Sequence, residues 1–462
     1  MHRTLFASSL VAIALGAVAP GCVPTDFDDR RSEASTRALP PPANYQNVRF
    51  GINVVGYSGT VAGQFASRIA ANAGRDTAFA VYPLMVGEEV RLDTPTITGC
   101  ALETPCEPGS GLSLVGMPTF RGRSMCIASA SVEGGQIKVN CEDDATRFET
   151  IAGPSGERFG SAGAGLRRPH AFGSAIYGAP GALGAAGAVY RLADGPPSPL
   201  DLSMGMGVGR ELGRAVAIGI VDSSTVLVAA GAPRGTDRRV IAATVTIDAG
   251  GAATTSVRGC MDATTGGFGE ALAIGDFDGD GTQDVAVGSG VGDGARESVV
   301  RIFAGSSMPA PGSCAGAWPE ATRLTCPSAE GVVCDDTSDF GAALAVGDVD
   351  GDGLDDLVVG APNARVDDVG GAGAVFVFRG TSAITTFNTG AVALAHSSPT
   401  TNANLGQAVT TAPGPMGTGG RRRDEVVAGA PGVNRVYVFL CTGLGADRAS
   451  DLPGTQCQAM EP

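Results

Sequence analysis

The sequence is short of aromatic residues, which fill 5% of its 462 positions with a single tryptophan, and short of charge, at 17%. So little charge excludes a coiled coil or a solvated polar tail as the main architecture. Lysine is almost missing: Lys138 is the one lysine among 32 basic residues. Set against 47 acids, they leave a net charge of −15, the wrong sign for binding nucleic acid by neutralising phosphates. Three histidines occur, His2, His170 and His396, and no C-x-x-C, so a Cys/His zinc site has no framework. Also lacking are G-x-S-x-G, H-E-x-x-H and a phosphate-cradling glycine loop ending in Lys-Ser/Thr. The chain is therefore not read as an enzyme, and His170, beside Arg167 and Arg168, is read as an ordinary loop histidine.

Long apolar runs are lacking too, with one exception. Leu5 to Val18, about 14 residues after Met1-His2-Arg3, is too short to span a ~30 Å hydrocarbon core but suits a signal-peptide core. Residues 1–21 are expected to be that signal. Gly21 before a lone Cys22 resembles a bacterial lipobox, which implies lipidation of Cys22. Cleavage after Ala19 with plain secretion is the alternative. The resemblance implies an outer-membrane or surface lipoprotein of the bacterial cell envelope, with a secreted or periplasmic location as the alternative. The membrane would then be touched only through the anchor, with residues 22–44 as lipidated Cys and flexible tether. The ten remaining cysteines are an even number, as an oxidising compartment favours. They fall as sequence neighbours, Cys100 and Cys106, Cys126 and Cys141, Cys260 and Cys314, Cys326 and Cys334, Cys441 and Cys457, and neighbour pairing would staple local units.

What the chain has in abundance is glycine, 70 residues, with 28 prolines, on a 43% apolar background. Together Gly and Pro stay under the ~25–30% at which low complexity becomes the default, so a turn-rich folded chain is expected. A repeat organises it. Phe268-Gly269-Glu270-Ala271-Leu272-Ala273-Ile274-Gly275-Asp276 aligns without gaps on Phe340-Gly341-Ala342-Ala343-Leu344-Ala345-Val346-Gly347-Asp348. The alignment continues to Gly288-Ser289-Gly290 and Gly360-Ala361-Pro362. Weaker copies run from Phe159-Gly160 to Gly178-Ala179-Pro180, from Leu212-Gly213 to Gly231-Ala232-Pro233, and from Leu405-Gly406 to Gly429-Ala430-Pro431. The spacing from opening residue to closing glycine is 19, 19, 20, 20 and 24 in chain order. Short apolar runs between Gly, Asp and Pro turns predict strands, and a unit of three or four strands that cannot cover its own faces predicts a β-propeller blade.

Phe-Gly, Gly-Asp-x-Asp-Gly-Asp-Gly-x-x-Asp and Gly-Ala-Pro, in that order, resemble the FG-GAP repeat of the integrin α-chain N-terminal propeller. The resemblance implies an all-β, seven-bladed β-propeller with calcium in hairpin loops on one face and ligand binding or adhesion on another. Six blades is the alternative. Five FG-GAP blades are expected over 155–441, two degenerate blades over 45–154, and a C-terminal tail over 442–462.

Two loops carry cation chemistry. Asp276, Asp278, Asp280, Thr282 and Asp284 occupy positions 1, 3, 5, 7 and 9 of one, and Asp348, Asp350, Asp352, Leu354 and Asp356 those of the other. Calcium takes six to eight oxygens at about 2.3–2.6 Å, and four carboxylates plus the position-7 carbonyl supply most of them. An EF-hand is excluded, because its position-12 Glu is Val287 here and Val359 in the second loop, and the flanks are strands. The other copies lack the acids, and Arg421-Arg422-Arg423 in the last would repel a cation. Two Ca2+ sites are expected, on a binding or adhesion module for a protein or carbohydrate partner, with no nucleic-acid partner. A purely structural envelope protein and an enzyme using propeller loops are the alternatives.

Overall fold

The computed structural model describes residues 110–440 except 132–134, 142–143, 155–156, 203–209, 235–237, 264–265, 290–297, 313, 315–317, 328, 330, 390, 397–398, 417–421 and 434. It also describes six short strands between Arg49 and Thr98 and one at Gln458–Ala459. The expected signal peptide and tether, Cys22, Cys100, Cys106, Cys441 and Cys457 lie outside the described residues.

Among the described residues, seven sheets of four or five strands follow one another along the chain. Their innermost strands are Arg68–Ala71, Ser110–Phe120, Ala162–Gly165, Ala215–Ile220, Ala271–Gly275, Ala343–Gly347 and Ala408–Met416. Each packs against the next and the last packs against the first, so the sheets form a closed ring. The protein is an all-β propeller, with helical turns only as short as Ala182–Ala185 and Ile384–Thr389. Within each sheet the hairpins are antiparallel, for example Ala271 opposite Gly288 and Gly275 opposite Asp284.

The seventh sheet borrows its outermost strand. Val55–Ser58 pairs antiparallel with Arg435–Leu440, Val55 standing opposite Val438. Arg49–Phe50 runs parallel to Ala391–Leu394 on the edge of the sixth sheet.

Stacking covers both faces of a middle strand, which is why these strands read as unbroken apolar runs rather than alternating ones. Every residue of Asp284–Gly288, Asp356–Ala361 and Ala374–Phe378 is buried. Between the fifth and sixth sheets the scarce aromatics are concentrated: the Phe340 ring meets Phe376 and Phe378 edge-on at 5.6 and 6.0 Å.

The repeat spacing has a geometric cause. The opening Phe159, Phe268 and Phe340 are fully buried, as Leu212 and Leu405 nearly are. The glycine after each donates its N–H to the closing glycine of the same sheet: Gly160 to Gly178, Gly213 to Gly231, Gly269 to Gly288, Gly341 to Gly360 and Gly406 to Gly429, at 2.9–3.1 Å. The carbonyl of that opening glycine then presses on the closing glycine of the sheet before. A β-carbon on Gly178 would meet the Gly213 oxygen at 1.8 Å, and one on Gly360 the Gly406 oxygen at 2.0 Å. The motif is thus the contact between neighbouring sheets.

Three disulfides join the expected neighbours: Cys126–Cys141, Cys260–Cys314 and Cys326–Cys334. Cys126 and Cys141 stand directly opposite each other on paired strands. His170 holds its own loop, Nδ1 accepting from the Phe172 N–H at 3.0 Å while Nε2 contacts the Asp222 carbonyl at 2.6 Å. Among the described residues, no helix is long and apolar enough to cross a membrane.

Candidate metal centres

Both Asp-rich segments form the hairpin between the innermost strand and the second strand of a sheet. Residues 276–283 join Ala271–Gly275 to Asp284–Gly288, and residues 348–355 join Ala343–Gly347 to Asp356–Ala361. Glycine lets the chain turn there: Gly281 and Gly353, at position 6, have φ of +85° and +93°.

The turns gather three carboxylates each. Asp276, Asp278 and Asp284 each offer an oxygen within 4.8 Å of the others, and so do Asp348, Asp350 and Asp356. Two oxygens on opposite sides of a calcium ion, each at about 2.4 Å, are separated by about that distance.

Position 9 is the most deeply set. Asp284 is fully buried, its Oδ2 accepting from the Phe277 N–H at 2.9 Å and its Oδ1 from the Gly305 N–H at 2.8 Å. Asp356 repeats this with Val349 at 2.7 Å and Gly380 at 2.8 Å. Each therefore ties the loop to the third strand of its own sheet. Position 1 caps the turn: Asp276 Oδ2 accepts from Gly281 at 3.0 Å, and Asp348 Oδ2 from Gly353 at 3.1 Å.

Asp280 and Asp352, expected as ligands, stand outside the two clusters. Asp280 Oδ1 accepts from the Thr282 N–H at 2.7 Å and its hydroxyl at 2.6 Å, while Asp352 Oδ1 accepts from the Leu354 N–H at 2.8 Å. A short polar side chain closes such a local turn readily. The Leu354 side chain turns away from the loop's polar centre and lies against Gly279 and Gly380.

Burial sets the electrostatics. It pushes the Asp284 carboxyl up to about 7, against two backbone donors that favour the charged form. Asp350 is pushed up to about 6, first by burial and then by the charge of Asp352, with Arg379 opposing. Asp356 is raised well above the usual carboxylate range by burial and by Asp350. Burial also raises Asp278 and Asp348. Both clusters therefore hold carboxylates that favour a proton unless another positive charge compensates them.

The donor set tests what that charge could be. All side-chain donors are carboxylate oxygens, which suit a hard divalent cation rather than a soft metal. Asp276 Oδ1 is buried and has no hydrogen-bond partner, an atom whose desolvation an ion would offset. The residues fit calcium. When bound, calcium would supply the positive charge that lets Asp276, Asp278 and Asp284, or Asp348, Asp350 and Asp356, be ionised together.

Sequence reasoning passed over the residues that brace these loops. Asp355 donates its N–H to the Asp276 carbonyl at 3.2 Å and accepts the Asp276 N–H on Oδ2 at 3.0 Å, so the sixth sheet clamps position 1 of the fifth-sheet loop. Asp424 donates its N–H to the Asp348 carbonyl at 2.7 Å, repeating half of that clamp one sheet on. Phe387 stacks on Phe277 at 5.0 Å, and Thr381 donates to the Phe277 carbonyl at 3.0 Å. The signal for Asp355 and Asp424 was positional: both precede the position-9 acid, Asp356 in one sheet and Glu425 in the other.

The innermost strands surround a cavity of about 740 Å³ whose mixed lining includes Val115, Ile274, Val346, Gln283, Asp355 and Asp424. Arg167 reaches across it, its guanidinium 3.2 Å from Asp424 and hydrogen-bonded to the Val346 carbonyl and the Thr411 hydroxyl.

The FG-GAP repeat family model matches residues 268–302 and 340–378, the two segments that contain these loops. The chain therefore carries FG-GAP repeats. Among curated proteins, none matches the chain. Solved structures similar to it include the β-propeller domain of Myceliophteria thermophila Cps50 (Swd1), at 10% identity and a TM-score of 0.48 over 84% of this chain and 98% of that one. Saccharomyces cerevisiae Sqt1 aligns at 10% identity and a TM-score of 0.43, over 85% and 98% of the two chains. The RRP9 WD40 repeats align at 9% and 0.46, over 87% and 99%.

Proposed function

We propose that this protein is a calcium-stabilised binding module, secreted or held at the cell surface, whose rigid ring presents loops to a protein or carbohydrate partner and does no chemistry of its own. The observation that carries the calcium reading is the repeated carboxylate cluster, together with the buried, unpartnered Oδ1 of Asp276 in the first. The FG-GAP repeats support the binding reading in kind, since a fold of this type offers a surface without naming its ligand. The disulfides suit an oxidising compartment. Lipidation at Cys22 would make the tether an anchor.

Calcium here is structural. An ion that binds the folded chain alone adds stability by mass action, about 2.7 kcal/mol per site at a free concentration 100 times its dissociation constant. Extracellular modules commonly bind at roughly 0.1–1 mM, so such sites stay filled outside a cell. The test is a thermal melt in calcium and in chelator. A calcium-dependent rise, reduced by replacing Asp278 or Asp350 and abolished by replacing both, supports the reading; identical melts refute it. Calcium-dependent capture of defined glycans or surface proteins on the immobilised chain then tests the partner class.

A further inference from the structure

The two loops are alike in sequence and unlike in charge. In the sixth sheet, Arg379 reaches the second loop, with Nη1 3.7 Å from Oδ2 of the buried Asp350. The equivalent position in the fifth sheet follows from hydrogen bonding rather than from alignment. Gly305 donates to the position-9 Asp284, and Gly380 donates to the position-9 Asp356, both at 2.8 Å. The residue before the first glycine is Ala304, and the residue before the second is Arg379. Among the described residues, no arginine or lysine pairs with an acid of the first loop.

A second difference points the same way. Asp348 has both carboxylate oxygens satisfied from within its loop, Oδ1 by the Gly351 N–H at 2.7 Å and Oδ2 by the Gly353 N–H at 3.1 Å. In Asp276 only Oδ2 is so held, and Oδ1 is buried without a partner. The second loop is partly neutralised by the protein itself; the first is not.

We propose that the loops are unequal calcium sites, with 276–284 tight and 348–356 weak, and that Arg379 sets the difference by competing with the ion for Asp350. This rests on the calcium reading above. An ion entering the second loop must displace the guanidinium or sit beside it. An arginine next to a carboxylate typically weakens its hold on a proton by about 10- to 1000-fold, and a divalent ion meets the same repulsion. Arg379 is partly exposed, so solvent screens it and the lower end of that range applies.

The experiment is isothermal titration calorimetry of the full chain with calcium alone, on the wild type and on Arg379→Ala, Arg379→Gln, Asp278→Ala and Asp350→Ala. A melt in chelator checks that each variant is folded. Two classes of site are expected in the wild type, the tight one lost in Asp278→Ala and the weak one in Asp350→Ala. Arg379→Ala should tighten the weak class about tenfold, equal to ~1.4 kcal/mol, and leave the tight class alone. Arg379→Gln, which keeps most of the stem, should do the same if charge is the cause. One equivalent in the wild type becoming two in Arg379→Ala is the limiting form of that result. Unchanged binding in both Arg379 variants, or loss of the weak class in Asp278→Ala, overturns the inference while leaving calcium binding intact. Absence of any calcium binding, in wild type and variants alike, overturns the calcium reading itself.

Discussion

A β-carbon placed on Gly231 would stand 2.0 Å from the carbonyl oxygen of Gly269 in the next sheet. Gly231 belongs to the fully packed second strand of its sheet, and Gly269 is fixed by its own N–H bond to Gly288 at 3.1 Å with φ at +84°. Neither side has a flexible group that could give way. Gly231→Ala should therefore cost at least the ~1–3 kcal/mol typical of overpacking, read as a lowered denaturant midpoint. Gly195→Ala is the control, since nothing lies within 4 Å of its added carbon; it should be neutral or slightly stabilising. Equal losses for the two would show that the sheets are not in this close contact.

Replacing one clustered carboxylate should matter most when calcium is there. Asp278→Ala and Asp350→Ala should each lower the melting temperature in calcium, the lost stability reaching up to about 2.7 kcal/mol per site at 100-fold excess over the dissociation constant. In chelator the losses should be smaller, because the removed carboxylate was then an uncompensated charge. Equal losses in the two media would reject the assignment of these residues.

The raised carboxylates make stability depend on pH in a sense that calcium reverses. Asp284 titrates at about 7 and Asp350 at about 6 in the folded chain, against about 3.9 when unfolded. The folded state holds these protons more tightly, so protonation stabilises it. That contribution is present in full below about pH 4 and is lost as pH rises through 6 and 7. Without metal, the melting temperature should fall between about pH 5 and pH 8. Calcium takes the deprotonated form, so its increment should grow over the same interval. Melts on a grid of pH and calcium measure both slopes, and a calcium increment that does not change with pH would contradict the cluster assignment.

The disulfides should differ in worth according to the chain they enclose. Cys260–Cys314 spans 54 residues and Cys326–Cys334 spans 8. Loop-closure entropy makes loss of the longer one more costly by about 1.7 kcal/mol. Paired Cys→Ser variants compared by denaturant midpoint test this, and the reverse order would count against the entropic account. Peptide mapping without reductant checks the three pairings themselves.

The constant spacing from Phe268 to Gly288 and from Phe340 to Gly360 was readable because one hairpin and one inter-sheet contact fix both ends of it. The clustering of Asp276, Asp278 and Asp284 was readable for the same local reason. Counting groups Asp280 with the other acids, but alternate spacing does not reveal that its carboxylate accepts from the Thr282 N–H and hydroxyl. The place of Val55–Ser58 in the seventh sheet leaves no motif, since backbone groups make that pairing from almost 400 residues away. Arg379 left no signal in the sequence, because the two copies differ in length between Gly288 and Ala304 and between Gly360 and Arg379. Its meaning needed the distance to Asp350.

The strand at Val55–Ser58 also governs closure. It stands almost 400 residues before its partner, Arg435–Leu440, in the chain. Until the two meet, each leaves a strand edge open and the sheets stand in an unclosed arc. The ring becomes a ring where these two distant segments join. Cutting the chain between any two sheets and linking the original ends would move that junction elsewhere and leave the finished circle the same.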